Sequence, residues 1–135
     1  MKIIRSMSVG TIWSGHPVGF DLLTHGDRQF VAYYDAERKM TVGMRVLEED
    51  AWTLAHPERT WLEGRSRRSS ELGWDSHNFL IMAIDDAGYV HLCGNMHVDP
   101  LIYFRTTRPL DVTSFERVDH MVGEQENRCT YPVFL

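Results

Sequence analysis

WDSHNFLIMAIDDAGYVHLCGNMH, residues 74–97, holds two apolar runs, FLIMAI and YVHLCG, joined by the turn DDAG. Of the chain's seven histidines it carries three, two of them just outside the runs. Short runs rich in β-branched and aromatic residues, separated by an Asp- and Gly-containing turn, read as a β-hairpin. FLIMAI is apolar at successive positions, so its sheet has to be covered on both faces. A helix is the weaker reading, because no window sustains an i, i+3, i+4 stripe.

The pattern repeats outward from this hairpin. After a loop at 95–100, LIYFRT at 101–106 and the run 115–121 complete a set of four strands. Upstream, VGFDLLT at 18–24, QFVAYY at 29–34, MTVGMRVL at 40–47 and the run 51–55 make another four. Phe30 falls into register with Val90, and Arg45 with Arg105, at a period of about sixty residues that belongs to repeat architectures. The expected fold class is therefore all-β: a β-propeller fragment of about two four-stranded antiparallel blades and the start of a third. Residues 1–135 form one partial domain, with blade-like units at approximately 16–56 and 77–121 and the third beginning at 131–135. Two blades cannot close a ring, and the chain stops in the apolar stretch TYPVFL, so it is expected to be cut inside an element.

With 135 residues, a net charge of -5 and 43% hydrophobic residues, the chain has the balance of a globular protein with a core. An acidic balance argues against nucleic acid as a partner, and no segment is apolar over the length a membrane span needs. The opening MKIIRSMSVGTIW lacks the apolar run of an export signal. The chain as written is expected to stay in the cytoplasm, a secreted or periplasmic place following only if further residues precede it. Cys93 and Cys129 are expected as free thiols. Between the two units, WLEGRSRRSSELGW gathers Arg65, Arg67 and Arg68. A solvated surface loop is the plainer expectation for it, and contact with an anionic ligand the sharper one.

Strand direction places the histidines. If the strand after His77 runs down to the turn at 85–88, the next climbs back, and the loop at His97 returns to the starting edge. His77 and His97 thus share one rim, together with His16, Arg128 and Tyr131. Asn78 and Asn95 flank the two histidines and offer amide donors to a carboxylate or hydroxyl. His91, inside the returning strand, is expected in a hydrogen-bonded structural role, and His25, His56 and His120 on the surface. Cys93, His97, His120 and Cys129 are zinc-ligand types, but their spacing fits no compact motif, so neither a metal nor another cofactor is expected.

The segments WDSHN, GNMH, YFRT and CTYP resemble the BNR-repeat family that includes ulvan-lyase-like polysaccharide lyases. The resemblance implies a seven-bladed β-propeller, of which this chain covers the N-terminal part. It also implies β-elimination on uronic-acid-containing polysaccharides, with an acidic polysaccharide or oligosaccharide as partner. The histidines of WDSHN and GNMH belong to the family's active site, which carries the catalytic role onto His77 and His97. His77 is assigned to proton transfer, and His97 to contact with the substrate carboxylate or to proton transfer. Asn78, Asn95 and Arg128 are expected as substrate contacts from their rim positions. The family's catalytic tyrosine and carboxylate-neutralising arginine lie in later blades, beyond Leu135. A non-catalytic carbohydrate-binding propeller is the alternative. Hydrolysis is less favoured, since glycosidases generally work with paired carboxylates.

Overall fold

Two turns of one design set the hairpins. Asp35 Oδ1 accepts from the backbone N–H groups of Glu37 and Lys39, both at 2.9 Å. Asp85 Oδ1 accepts in the same way from Ala87 at 3.0 Å and Tyr89 at 2.9 Å. The fourth residue of each turn is left-handed, with φ 65° at Arg38 and 85° at Gly88. Glycine adopts that conformation freely; an L side chain pays about 1–2 kcal/mol for it.

In the computed structural model, which describes Ile3 and residues 5–135, these turns lie between strands of two four-stranded antiparallel sheets. The first contains β1 (Asp21–His25), β2 (Arg28–Tyr34), β3 (Met40–Val46) and β4 (Thr53–Ala55) in sequence order. The chain then runs through β5 (Leu80–Ile84), β6 (Val90–Gly94), β7 (His97–Asp99), β8 (Tyr103–Thr106), a 3₁₀ turn at Val112–Ser114, β9 (Phe115–Arg117) and β10 (Cys129–Thr130). The second sheet has the order β5-β6-β8-β9, while β7 leaves it to pair with β10. No α-helix occurs among the described residues.

Strand β2 is buried on both faces from Phe30 to Tyr34. Phe30, Ala32 and Tyr34 join Met40 and Val42 in one core cluster with Leu80, Met82, Val90, Leu92 and Phe104 of the second sheet. Each such large side chain contributes roughly 1.5–3 kcal/mol by leaving water. Phe30 and Val90 both lie in the second strand of their sheets, and Arg45 and Arg105 both lie in the third. Each of those arginines covers an aromatic ring, Trp52 at 5.5 Å and Tyr89 at 5.0 Å.

Two polar joints fix one sheet to the other. Met82 N–H donates to Asp21 Oδ2 at 2.6 Å. The Tyr34 hydroxyl donates to the Asn78 carbonyl at 2.7 Å, and burial pushes the Tyr34 phenol well above its usual range, so it stays a donor.

Three expectations are revised here. The stretch 95–100 is not simply a loop: it contains β7, whose partner is Cys129–Thr130. Residues 131–135 form no strand, and the last ladder of the chain folds back onto β7 instead of opening a further sheet. Nor is the arginine-rich insertion merely a solvated loop. Leu62 and Leu72 enter the core, and Ser70 O accepts from Met40 N–H at 2.8 Å.

Candidate functional site

The local sequence D-S-H builds the first half of the site. Asp75 Oδ1 accepts from His77 N–H at 2.9 Å, closing a turn that brings the His77 Nδ1 to 2.5 Å from the same oxygen. The second half arrives from β7, where His97 Nδ1 bonds the other carboxylate oxygen, Asp75 Oδ2. The two imidazoles end with centroids 4.2 Å apart and planes inclined by 36°. Both are partly open to solvent.

Strand β7 is held in place by the buried Asp99. Its carboxylate accepts from His97 N–H at 3.1 Å, from Arg65 Nε at 3.0 Å and from Arg67 Nη2. Arg65 also donates to Val98 O at 2.7 Å, and Val98 N–H donates to Thr130 Oγ1 at 2.8 Å. Two arginines of the insertion therefore do meet an anion, and it belongs to the chain itself. Asn95, Val98 and Tyr131, at φ 60°, 58° and 55°, are left-handed residues on both sides of the histidine pair. A β-branched residue in that region is an outlier costing about 1–3 kcal/mol, sustained here by the bonds on both sides of Val98. Gly94 ends β6 at φ 151°, where a Cβ would lie 2.3 Å from Phe79 O, so only glycine lets the chain turn out towards His97.

Burial works to raise the Asp75 pKa, but the backbone bond from His77 and the side-chain bonds from His97 and His77 outweigh it. They hold the carboxyl well below the usual range. An ionised carboxylate only accepts hydrogen bonds, so each Nδ1 facing it carries a proton. In a neutral imidazole that leaves Nε2 as the unprotonated nitrogen. One carboxylate thus orients two potential bases. Asp75, His77 and His97 also place three ligand atoms within 4.8 Å of one another, and a divalent cation held by them would displace the two Nδ1 protons.

The structure treats the other expected residues differently. Asn78 is 2% exposed and Asn95 is fully buried, so neither amide reaches a molecule at the rim. Asn95 Nδ2 donates to Ser69 O at 2.7 Å and Glu71 O at 3.0 Å, tying the insertion down, while the Asn78 backbone takes the Tyr34 hydroxyl. They are scaffold residues, a correction to their reading as substrate contacts. Arg128 is exposed and makes no ion pair among the described residues; it lines a cavity of about 310 Å³ beside Cys129 and Glu126. Tyr131 stands over the site, 5.6 Å from the His77 ring and stacked on Phe79.

His16 packs against Trp74 at 5.9 Å and bonds Gly73 O. His91 bonds the Tyr103 hydroxyl at 2.7 Å and Asp85 Oδ2 at 3.2 Å. His25, His56 and His120 are exposed. Cys93 and Cys129 are free thiols, with burial pushing Cys93 up to about 12. Asp75 is the site residue that sequence reasoning passed over; its signal was a carboxylate two positions before a rim histidine, the spacing of a side-chain-capped turn.

The model of the BNR repeat-containing family matches residues 28–135, which include the whole of this site. The chain belongs to that family. No curated protein sequence matches it. Among solved structures, this BNR-repeat chain is similar to polysaccharide lyase Uly1, with a TM-score of 0.56 and 13% sequence identity. The likeness extends over 94% of this chain and 32% of the lyase, so the chain spans about a third of that enzyme's length. At this identity the comparison speaks for a shared fold.

Proposed function

We propose that this BNR-repeat chain forms part of a propeller polysaccharide lyase that cleaves uronate-containing glycans by β-elimination, with His77 and His97 at its reacting centre. The observation that carries the reading is the imidazole pair 4.2 Å apart on a single carboxylate. The chain's two four-stranded sheets are the blades, and the apolar side chains left exposed on the first and just before it, Leu22, Phe20 and Ile12, suit cover by neighbouring blades. The likeness to a polysaccharide lyase supports the substrate class.

The chemistry follows from the residue types. An unprotonated Nε2, that of His77 in this assignment, takes the proton from C5 of the uronate. The C–H electron pair becomes the C4–C5 double bond, the C4–O bond breaks, and the leaving oxygen takes a proton from the His77 imidazolium so formed or from protonated His97. His97, in its protonated form, offsets the carboxylate charge that builds at C5, or shares the proton transfer. A positioned base contributes about 10²–10⁴-fold, and charge stabilisation adds to it.

Incubating the full-length protein that contains this chain with a glucuronate-containing polysaccharide should generate the ultraviolet absorbance of unsaturated ends, and His77→Ala should abolish it. Undiminished product from that variant would remove His77 from the mechanism. A non-catalytic carbohydrate-binding role is the second reading. It is favoured by the sealing of Asn78 and Asn95, which takes two polar contacts away from any substrate, and glycan binding without unsaturated product would select it.

A further inference from the structure

Beside the histidine pair, and ending on the residue before Asp75, lies a groove of about 330 Å³ walled by Trp61 and Trp74 with Arg38, Arg67, Arg68 and Glu71 along it. That volume is at the small end of ligand sites, roughly 300–1,000 Å³. Both tryptophans are open to solvent, at 66% and 73% exposure. They leave large aromatic faces bare in a chain that buries Phe30, Phe104 and Met40 completely.

Each ring is backed by a cation. The Arg68 guanidinium lies 4.9 Å from the Trp61 ring, and Arg38 lies 5.6 Å from Trp74 and 5.7 Å from Trp13. The charges in the groove are unequally satisfied. Arg67 is engaged by Asp99, and Arg38 meets Glu71 only at 3.9 Å, a carboxylate that Arg59 also approaches at 3.8 Å. Arg68 has no ion pair among the described residues. A planar guanidinium without a carboxylate, set against an indole face, matches a ligand with one apolar face and one planar anionic group. A uronate ring has that form: its axial C–H groups cover the indole and its carboxylate meets the guanidinium.

We infer that the groove between Trp61 and Trp74 is a binding subsite for an acidic sugar residue, holding the glycan through stacking and the Arg68 charge next to the histidine pair. The inference rests on the reading of that rim as an acidic-glycan site, but it asks for binding, not for elimination.

Calorimetric titration with a glucuronate-containing tetrasaccharide tests it, alongside the same compound with its carboxyls reduced to alcohols. Trp61→Ala and Arg68→Gln should each weaken binding of the acidic form by about tenfold, the scale of an aromatic or arginine anchor. Arg68→Gln should leave the weaker binding of the reduced form unchanged. Arg38→Gly relieves the left-handed strain at φ 65° while removing the second cation, and it should lose affinity for the acidic form with its melting temperature unlowered. Equal affinities in the unaltered, Trp61→Ala and Arg68→Gln proteins would overturn the subsite, as would failure of the unaltered protein to bind the acidic compound. Binding that follows this pattern with no unsaturated product would sustain the subsite and overturn the lyase reading alone.

Discussion

Asp75 is where a single atom exchange separates geometry from chemistry. Both carboxylate oxygens accept, one from each imidazole Nδ1, so the residue sets two ring orientations and two tautomers together. In Asp75→Asn one oxygen still accepts, but the amide nitrogen faces the second ring as a donor and forces that imidazole to flip or to shift its proton. The expected result is a loss of kcat of about 10²–10⁴-fold with KM little changed, since the groove beyond Trp74 is untouched. Steady-state kinetics on a uronate polysaccharide checks it, and a kcat within twofold of the unaltered protein would mean the carboxylate does not orient the bases. The convergence of His77 and His97 was legible in the sequence, because hairpin direction alone returns both to one edge. The burial of Asn78 and Asn95 was not. Which way an amide points depends on the Tyr34 clamp and on the carbonyls of Ser69 and Glu71, partners 44, 26 and 24 positions away.

At the scale of elements, the site depends on the join between the sheets. The Tyr34 hydroxyl at the end of β2 reaches the Asn78 carbonyl one position past His77, linking the first sheet to the entry of the second. Tyr34→Phe keeps the buried ring and removes that donor, leaving a buried carbonyl with one bond fewer. A loss of about 1–3 kcal/mol in stability is expected from denaturant midpoints, with unchanged m-value. On the proposed lyase reading, formation of unsaturated ends by the full-length protein should fall as well, because the turn carrying His77 is freed on one side. Activity and stability both unaltered would remove the clamp from the account. Strand identities themselves were readable from the apolar runs, as β2 and β5 illustrate. The pairing of β7 with β10 was not, since a three-residue strand meeting a two-residue one leaves almost no periodic signal. Its register comes from Asp99, Arg65 and Arg67, a long-range polar arrangement of which the sequence shows only the arginines' proximity.

For the whole molecule the acidic balance becomes a statement about pH. Asp85, Asp111 and Glu126 all sit below their ordinary pKa values in the fold. Asp85 owes this first to the bond from Tyr89 N–H, Asp111 first to the Thr113 hydroxyl, and Glu126 first to Val122 N–H, in each case against burial. A carboxyl whose pKa is depressed by folding stabilises the native state wherever it is ionised in both states. That stabilisation is complete above the unfolded value, about 3.9 for Asp and 4.3 for Glu, and is lost as pH falls through the folded one. Melting temperature should therefore change little through these groups between about pH 7 and 5 and decline steeply below about pH 4. The three caps close different loops, so the decline should be shared. Glu126→Gln keeps one acceptor for the backbone donors of Met121, Val122 and Gly123 but cannot ionise, and should flatten the acid limb in part. Asp111→Asn does the same at the 3₁₀ turn, and the two effects should add, since the groups share no partner. A melting curve as steep below pH 4 in the double variant as in the unaltered protein would place acid lability elsewhere.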